Sequence, residues 1–552
     1  MDQTTTATSW PNGNYPTTTS APNGNYPSLQ DDVEHEDNLP CLDDDGLLCF
    51  GPGDADDPRN WSTTRKWLIS LVATLLSLNG NFASSVSSGC LPSLSDAFRV
   101  SQEAASLTVS LFLLGFCAGP FVFAPLSEFY GRRRVFYGTF LLYLAFDFLC
   151  AFPPSFGGLL AGRLLAGTAA SATLSNVPGV LSDLWDPSER GDSMAVFSFM
   201  SWAGPSLGPI VSGFLQITKG WRWAFFVVLW LGAPTALLML TIPETYAPTR
   251  LICKARRIRK QAKPESPQAS VRAPGEANQP SLARMYKIAL TRPWALLFDP
   301  ICLVCNVYTF VVSTLQYMLF SVYPIVFEDM RGWNAGVARL PLLGTVVGAF
   351  VGGLIIFLDT SRRKKKTARL GELEPEDRLY MAMIGGVIFP IAMFWFAWTG
   401  EYNSVPWIVP SLAGCLLSVG LVLIFVALLN YLVDSYHSVA ASAVAGNTCA
   451  RCIGCAAAPL FTNQMFNALG IGGGGSLIGG VSALLAVCPF VFYRYGRQIR
   501  ARSRYTGPVD AGKKEEKDLE ADRVEWRPEG RPEAEEESEA VQASEEAARG
   551  GG

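Results

Sequence analysis

Long apolar runs broken by short charged stretches set the pattern of this 552-residue chain. A hydrocarbon core about 30 Å thick takes roughly 20 apolar residues as a helix. Twelve runs meet that length. The first six lie at roughly 67–90, 104–124, 135–153, 157–181, 193–216 and 223–243. The second six lie at roughly 297–325, 336–358, 380–399, 405–433, 438–468 and 476–494. Between the sets, residues 247–292 are polar and carry Lys254, Arg256, Arg257, Arg259, Lys260 and Lys263. The pattern predicts an all-α membrane protein: a six-span bundle over 67–243, a basic linker, and a second bundle over 297–494.

Both ends break the pattern. Residues 1–60 are rich in Thr, Asn, Pro, Gly and Asp, and the block Pro-Asn-Gly-Asn-Tyr-Pro occurs at Pro11–Pro16 and again at Pro22–Pro27. Residues 505–552 are rich in Glu, Ala, Arg and Gly. Such segments cannot bury enough apolar surface to offset chain entropy, so both read as disordered acidic tails. The start has no basic stretch leading into an apolar core, so no cleavable signal peptide is expected.

Loop charge predicts orientation. Arg132, Arg133 and Arg134 follow span 2, the linker is basic, and Arg362, Arg363, Lys364, Lys365 and Lys366 follow span 8. Arg494, Arg497 and Arg500 leave span 12. If every run crosses, all of these fall on one side, and the positive-inside rule makes that side, with both termini, cytoplasmic.

Composition agrees. The chain is 49% hydrophobic and 17% charged, against about a quarter charged in soluble chains. This argues against a secreted disulfide scaffold and a nucleic-acid binder. Cys452 and Cys455 form a C-x-x-C, but inside an apolar run and with no second pair, so they read as small packing residues. Gly472–Gly475 lack the Lys-Ser/Thr of a phosphate loop and read as a flexible outer loop before span 12. With no zinc spacing, nucleophile elbow or haem motif, the sequence predicts no metal, no cofactor, no ATP and no enzymatic activity.

Glycines recur at four-residue spacing within spans: Gly115/Gly119, Gly158/Gly162, Gly204/Gly208 and Gly344/Gly348/Gly352. Small residues on one face let helices approach closely.

The segment Ala124-Pro-Leu-Ser-Glu-Phe-Tyr-Gly-Arg-Arg-Arg134 resembles the loop signature of the major facilitator superfamily, with Ala124 and Glu128 in place of its Gly and Asp. Ala161-Gly-Arg-Leu-Leu-Ala-Gly167 looks like the family's span-4 motif, and Ala203-Gly-Pro-Ser-Leu-Gly-Pro209 like the span-5 antiporter signature. Pro243-Glu-Thr-Tyr-Ala-Pro248, Asn430-Tyr-Leu-Val-Asp-Ser-Tyr436 and Asn447-Thr-Cys-Ala-Arg451 resemble the fungal twelve-span drug:proton antiporters. The loop after span 8 is a poor copy of the signature, with Asp359 before a purely basic run. The resemblance covers about residues 58–505. It implies two six-helix bundles around a central cavity that opens alternately to either side. It further implies proton-coupled export of small amphipathic molecules, drug-like toxins or a secondary metabolite, from a fungal plasma membrane. The partners would be cargo, protons and the bilayer. A polyamine carrier and a non-transporting sensor on the same fold are the rival readings.

An ionisable side chain within the bilayer costs on the order of 3 kcal/mol, so each one suggests function. Asp147 and Arg163 should sit at similar depth on neighbouring antiparallel helices, as a proton-accepting or a neutralising pair. Arg451, well inside span 11, should face the cavity or a carboxylate. Asp434 is a candidate partner at a poorly matched depth, or a gate. Glu128 and Arg132 supply a charge pair at the cytoplasmic mouth, near Asp183, Glu189 and Arg190, and bridges among these would form only while that mouth is closed. Asn176, Tyr308, Gln316, Tyr317, Phe320 and Asn430 are candidate cavity residues. Pro205 and Pro209 should bend span 5, and Gly204→Leu is expected to abolish transport, by holding spans apart where the halves need to meet closely, while leaving membrane expression largely intact.

Overall fold

The computed structural model describes residues 41–42, 47–51, 53–186, 189–261, 270–277, 281–370, 375–436, 439–501 and 503. The N-terminal repeats, Asp43 to Asp45, Lys263 and the whole of 505–552 lie outside them. The described residues are helical apart from short connections and one bridge between Leu42 and Leu48.

Helix α1 (Thr63–Val86) runs through a 3-10 turn into α2 (Leu91–Phe98), and the two make the first span. Helices α3 (Gln102–Tyr130) and α4 (Arg132–Ala151) follow, then α5 (Phe156–Ala170) and α6 (Ala172–Leu184), which share one span, then α7 (Arg190–Thr218) and α8 (Arg222–Met239). The linker forms α9 (Ala247–Gln261), the one-turn α10 (Pro274–Ala277) and α11 (Leu282–Leu297). The second half contains α12 (Pro300–Pro324), α13 (Leu343–Leu370), α14 (Leu379–Glu401), α15 (Ile408–Ser435), α16 (Ala440–Leu485) and α17 (Val487–Arg500).

Among the described residues, eleven helical stretches are long and apolar enough to cross a bilayer. The last, Ala440–Arg500, has 61 residues, far more than the roughly 20 of one pass. It turns at Gly470, where φ is +71° and ψ 171°. The Gly472 N–H then donates to Glu401 at the end of α14 (2.7 Å), and Arg500 meets Glu376 just before the start of α14 (2.7 and 2.8 Å). The stretch therefore goes up and comes back, which makes twelve crossings. Gly472–Gly475 is not a loop. It is helical, and a Cβ at Gly475 would collide with Ala397 of α14. Glycine clusters signal turns in water, but between membrane helices they allow close approach.

The described residues of the N-terminal segment pack on the linker. Leu48 is buried with Ala255, Val271 and Ala273, and its N–H donates to the Arg272 carbonyl (2.9 Å). Asp56 meets Arg250 (2.9 Å), Asp54 meets Lys254, and the Arg250 guanidinium lies over Trp61. Arg259 of α9 holds Glu276 with two hydrogen bonds (2.7 and 2.8 Å), which pull that carboxyl down to about 2. A depressed carboxylate stabilises the fold above its unfolded pKa and stops doing so only as pH falls toward the folded value. The linker clasp is thus insensitive to pH across the cellular range.

The Arg- and Lys-rich loops gather at one end of the molecule, called here the basic end. Each bundle is held internally by its glycines. A Cβ at Gly115 or Gly167 would collide across the α3–α5 crossing, at Gly204 or Gly208 across α7–α1, and at Gly344 or Gly348 across α13–α15. Each of the three crossings lies within a single half.

Candidate functional site

Arg163 of α5 is fully buried. Its Nε donates to the Thr108 carbonyl of α3 (2.9 Å) and its Nη2 to the Ala83 carbonyl of α1 (2.7 Å). The guanidinium lies over the Phe112 ring (4.1 Å). Its Nη1 faces Asp147 of α4 at 3.8 Å, and Asp147 is equally buried. That distance is a charge contact rather than a hydrogen bond. Neither Asp147 oxygen accepts a hydrogen bond among the described residues, because the neighbouring Tyr143 hydroxyl donates to Asn79 (2.7 Å). The structure thus brings together the two residues that the sequence paired, and one arginine ties four helices. The carboxylate, however, is left without the hydrogen bonds that a buried charge requires. A proton on Asp147 would relieve that cost.

Small polar contacts join the halves in the part of the seam away from the basic end. Ser84 of α1 and Tyr317 of α12 share a hydrogen bond (2.7 Å), and Thr345 of α13 donates to Ser206 of α7 (2.9 Å). Phe320 packs edge-on against Tyr317. Arg339, in the 3-10 turn before α13, is 3% exposed and meets Glu328 (3.3 Å). A Cβ on Gly213 of α7 would come within 2.7 Å of its Cδ, so α7 abuts this turn directly. The far end is therefore sealed. Toward the basic end Met194 to Ser201 of α7 are all partly exposed, while Phe199 still meets Phe350 of α13 edge-on.

Arg451 of α16 is half-buried over the Phe425 ring (5.0 Å), and Phe425 meets Trp202 of the other half edge-on. Arg451 makes no ion pair among the described residues. Asp434 does not reach it, because Asp434 is held by Arg378 (2.7 Å). Cys117 of α3 and Cys449 of α16 stand 2.9 Å apart across the seam, while the Cys455 thiol donates to the Ser313 carbonyl of α12.

At the basic end the expected gate differs in detail. Glu128 is exposed and forms no pair with Arg132. Arg132 instead meets Asp183 (3.4 Å) and Ser127 (2.9 Å) and lies over Tyr246. These partners all belong to the first half, so the Arg132–Asp183 bridge does not depend on closure of the mouth. Arg190 is half-buried at the start of α7, beside Gly191, which touches Thr360 of α13. Asp434–Arg378 and Arg500–Glu376 likewise stay within the second half.

Sequence reasoning missed Glu244. Its carboxylate accepts from the backbone N–H of Arg132 (3.0 Å) and Arg133 (3.2 Å), capping α4. Gly131, at φ +93°, makes the turn that brings those N–H groups round, and a Cβ there would strike the Glu244 carboxylate. The Pro-Glu-Thr-Tyr segment therefore completes the loop signature more than a hundred residues away. Glu244→Ala should lower the thermal stability of the detergent-solubilised protein by about 1 to 2 kcal/mol, the usual worth of a cap near a helix N-terminus. A melting shift no larger than that of an exposed control such as Glu189→Ala would deny it that role.

The candidate cavity residues divide. Tyr317 lies on the seam, with Phe320 packed against it. Tyr308 does not: its hydroxyl lies against Gly386 of α14, inside the second half. Gln316 is nearly buried, and Asn176 is buried with neither amide atom partnered. Asn430 is half-buried toward the basic end of α15. Asn447 donates to Asn306 (2.9 Å) and Thr309 (2.7 Å) of α12, a buried network that hydropathy alone could not reveal.

The family model described as Major Facilitator Superfamily matches residues 71–459. The chain belongs to the Major Facilitator Superfamily. It is 41% identical over 467 residues to the efflux pump FUB11 of Gibberella moniliformis, covering 83% of this chain and 77% of that one. It is 37% identical to the major facilitator superfamily multidrug transporter mdrA of Aspergillus fumigatus, covering 83% and 76%. Among solved structures, the proton:xylose symporter XylE superposes with a TM-score of 0.55 at 18% identity, covering 79% of this chain and 96% of that one. This superfamily member is thus a multi-pass membrane protein with that fold.

Proposed function

We propose that this superfamily member is a proton-coupled efflux pump for small amphipathic compounds, drug-like toxins or a secondary metabolite. The observation that carries the reading is Asp147, a buried carboxylate without a hydrogen-bond donor, beside an arginine whose other donors are committed to backbone. Such an acid is costly when charged and eased by a proton, which suits a group that loads and releases protons as the halves rock. The buried far-end contacts and the partly exposed Met194–Ser201 stretch of α7 suit the state that would take up cargo. Tyr317, Phe320, Arg451 and Phe425 are the side chains best placed on the seam to meet it. Relatives named efflux pump and multidrug transporter favour this reading over the polyamine carrier and the sensor.

The basic end is assigned to the cytoplasm of a plasma-membrane protein, with both termini there. The test is uptake of a lipophilic dye into inverted proteoliposomes under an imposed pH gradient. Uptake should rise with the gradient and stop with a protonophore; uptake indifferent to both would reject proton coupling.

The topology has its own check. Asn60-Trp-Ser62 is a formal glycosylation sequon, and Asn60 is exposed with its amide on the Asp54 carbonyl. It should remain unmodified, because it lies at the basic end and away from the glycosylation machinery. A glycosidase-sensitive mass that disappears in Asn60→Gln would reverse the orientation.

A further inference from the structure

At the side of the molecule, where the two halves and the linker meet, α3, α11, α12 and α16 enclose a cavity of about 220 Å³. Phe121, Trp294, Phe310, Cys449, Ala450 and Ile453 line it. Even an apolar cavity of ~150 Å³ stays dry and takes up hydrocarbon, so water is not the natural occupant here. Its depth is set by the helices. Phe121 lies nine residues before the basic end of α3, about 14 Å along the axis, and Gly446 six residues into α16, about 9 Å. The mouth is rimmed by exposed Trp294 (51%) and Ile453 (43%), which on a membrane-spanning bundle face lipid tails.

The roof is α11, an amphipathic helix fixed to α3 at two points. Tyr286 donates to the Val122 carbonyl (3.1 Å), and Trp294 stacks on Phe121 at 11°. It carries an exposed Lys287 and a half-buried Arg284. Lys287 precedes Trp294 by seven residues, two turns, and so lies on the same side of the helix. An apolar slot at hydrocarbon depth beneath a cationic helix at the membrane surface matches one ligand chemistry: a hydrocarbon tail joined to a negative headgroup.

We propose that this cavity holds an acyl chain of an anionic lipid of the leaflet at the basic end, with Lys287 and Arg284 drawing the headgroup. The lipid would wedge the linker helix against both halves. The assignment rests on the membrane fold and not on proton-driven export, so the test uses no gradient.

The full-length protein is placed in phosphatidylcholine nanodiscs. Phosphatidylserine or phosphatidylcholine carrying the same diazirine-bearing acyl chain is added as a trace, irradiated, and mapped by mass spectrometry. Phosphatidylserine should label residues 446–453 about tenfold more than phosphatidylcholine, as two surface cations warrant. Ala450→Trp should remove that labelling while leaving the exposed face of α14 around Trp395 and Trp398 labelled as before. Gly446→Val is a second filling variant, since a Cβ there meets nothing nearer than the Pro293 carbonyl at 3.4 Å. Replacing Lys287 and Arg284 by Ala should bring the two lipids level. Equal labelling by both lipids in the wild type, or labelling that survives both filling variants, would overturn the proposal. Displacement of the phosphatidylserine label by the dye rhodamine 6G would also overturn it, and assign the cavity to cargo.

Discussion

Arg163→Ala should abolish dye uptake driven by a pH gradient and also reduce the folded yield. The structure makes the second effect unavoidable. The substitution takes the guanidinium bonds from the Thr108 and Ala83 carbonyls and leaves Asp147 without its countercharge in an apolar interior. Removing one partner of a buried pair costs about 3 to 5 kcal/mol. Arg163→Lys keeps the charge but cannot reach two carbonyls and a carboxylate together, so it should restore yield more than transport. Asp147→Asn separates the roles. It keeps shape and, like the protonated acid, carries no charge, while Arg163 keeps its carbonyl bonds, so it should fold better than Arg163→Ala, retain dye binding and lose the dependence on the gradient. Wild-type gradient dependence in Asp147→Asn would remove that carboxylate from coupling. If the two residues act as one unit, the double variant should lose less than the sum of the single losses.

Gly208→Leu should prevent the first half from folding. A Cβ at Gly208 would lie 2.8 Å from the Phe82 carbonyl of α1 and collide with Ser85, and at Gly204 it would lie 2.9 Å from the Asn81 Cβ. The rigid Cβ of Asn81, with backbone at 3.2 Å behind it, and the Phe82 carbonyl cannot swing away, so the helices must separate, and overpacking of this kind costs about 1 to 3 kcal/mol per site. The expected readout is loss of monodisperse protein in size-exclusion chromatography, with Gly204→Leu close behind. The expectation that Gly204→Leu would abolish transport while leaving expression largely intact took its face to meet the other half, whereas both glycines face α1 of their own bundle. By contrast Thr345→Ala, which cuts a contact between the halves, should cost only about 1 kcal/mol and leave a well-behaved protein. A well-folded Gly208→Leu protein would show that α7 and α1 can part without loss.

What the sequence made legible follows from what hydrocarbon penalises. Apolar length marks the spans because no other helix tolerates that composition. Asp147 and Arg163 stood out because buried charge is expensive, and antiparallel neighbours at equal depth must meet. Partner identity was harder. The spacing of Gly204 and Gly208 specifies a smooth face but not which helix lies against it. Tyr317 and Tyr308 are both tyrosines within one apolar run, yet one lies on the seam and the other inside its bundle, and only packing separates them. Glu244 and Arg132 are distant in sequence, and a carboxylate just past a span reads as an ordinary loop residue. Arg339, inside the span-8 run, carried the same warning of cost as Arg163 and could have been found by it.

The division between glycine crossings within the bundles and hydroxyl contacts between them bears on engineering. Rocking must break Ser84–Tyr317 and Ser206–Thr345, neutral bonds of about 1 kcal/mol each. It need not disturb the α3–α5, α7–α1 or α13–α15 crossings, although the approach of Gly213 to the Ala335 carbonyl spans the seam. Heat resistance and turnover therefore draw on separate sets of residues. Substitutions that tighten α3 on α5, or α13 on α15, can raise the melting temperature of a purified sample without slowing its cycle. Stabilising substitutions chosen along the seam would arrest the pump in one state.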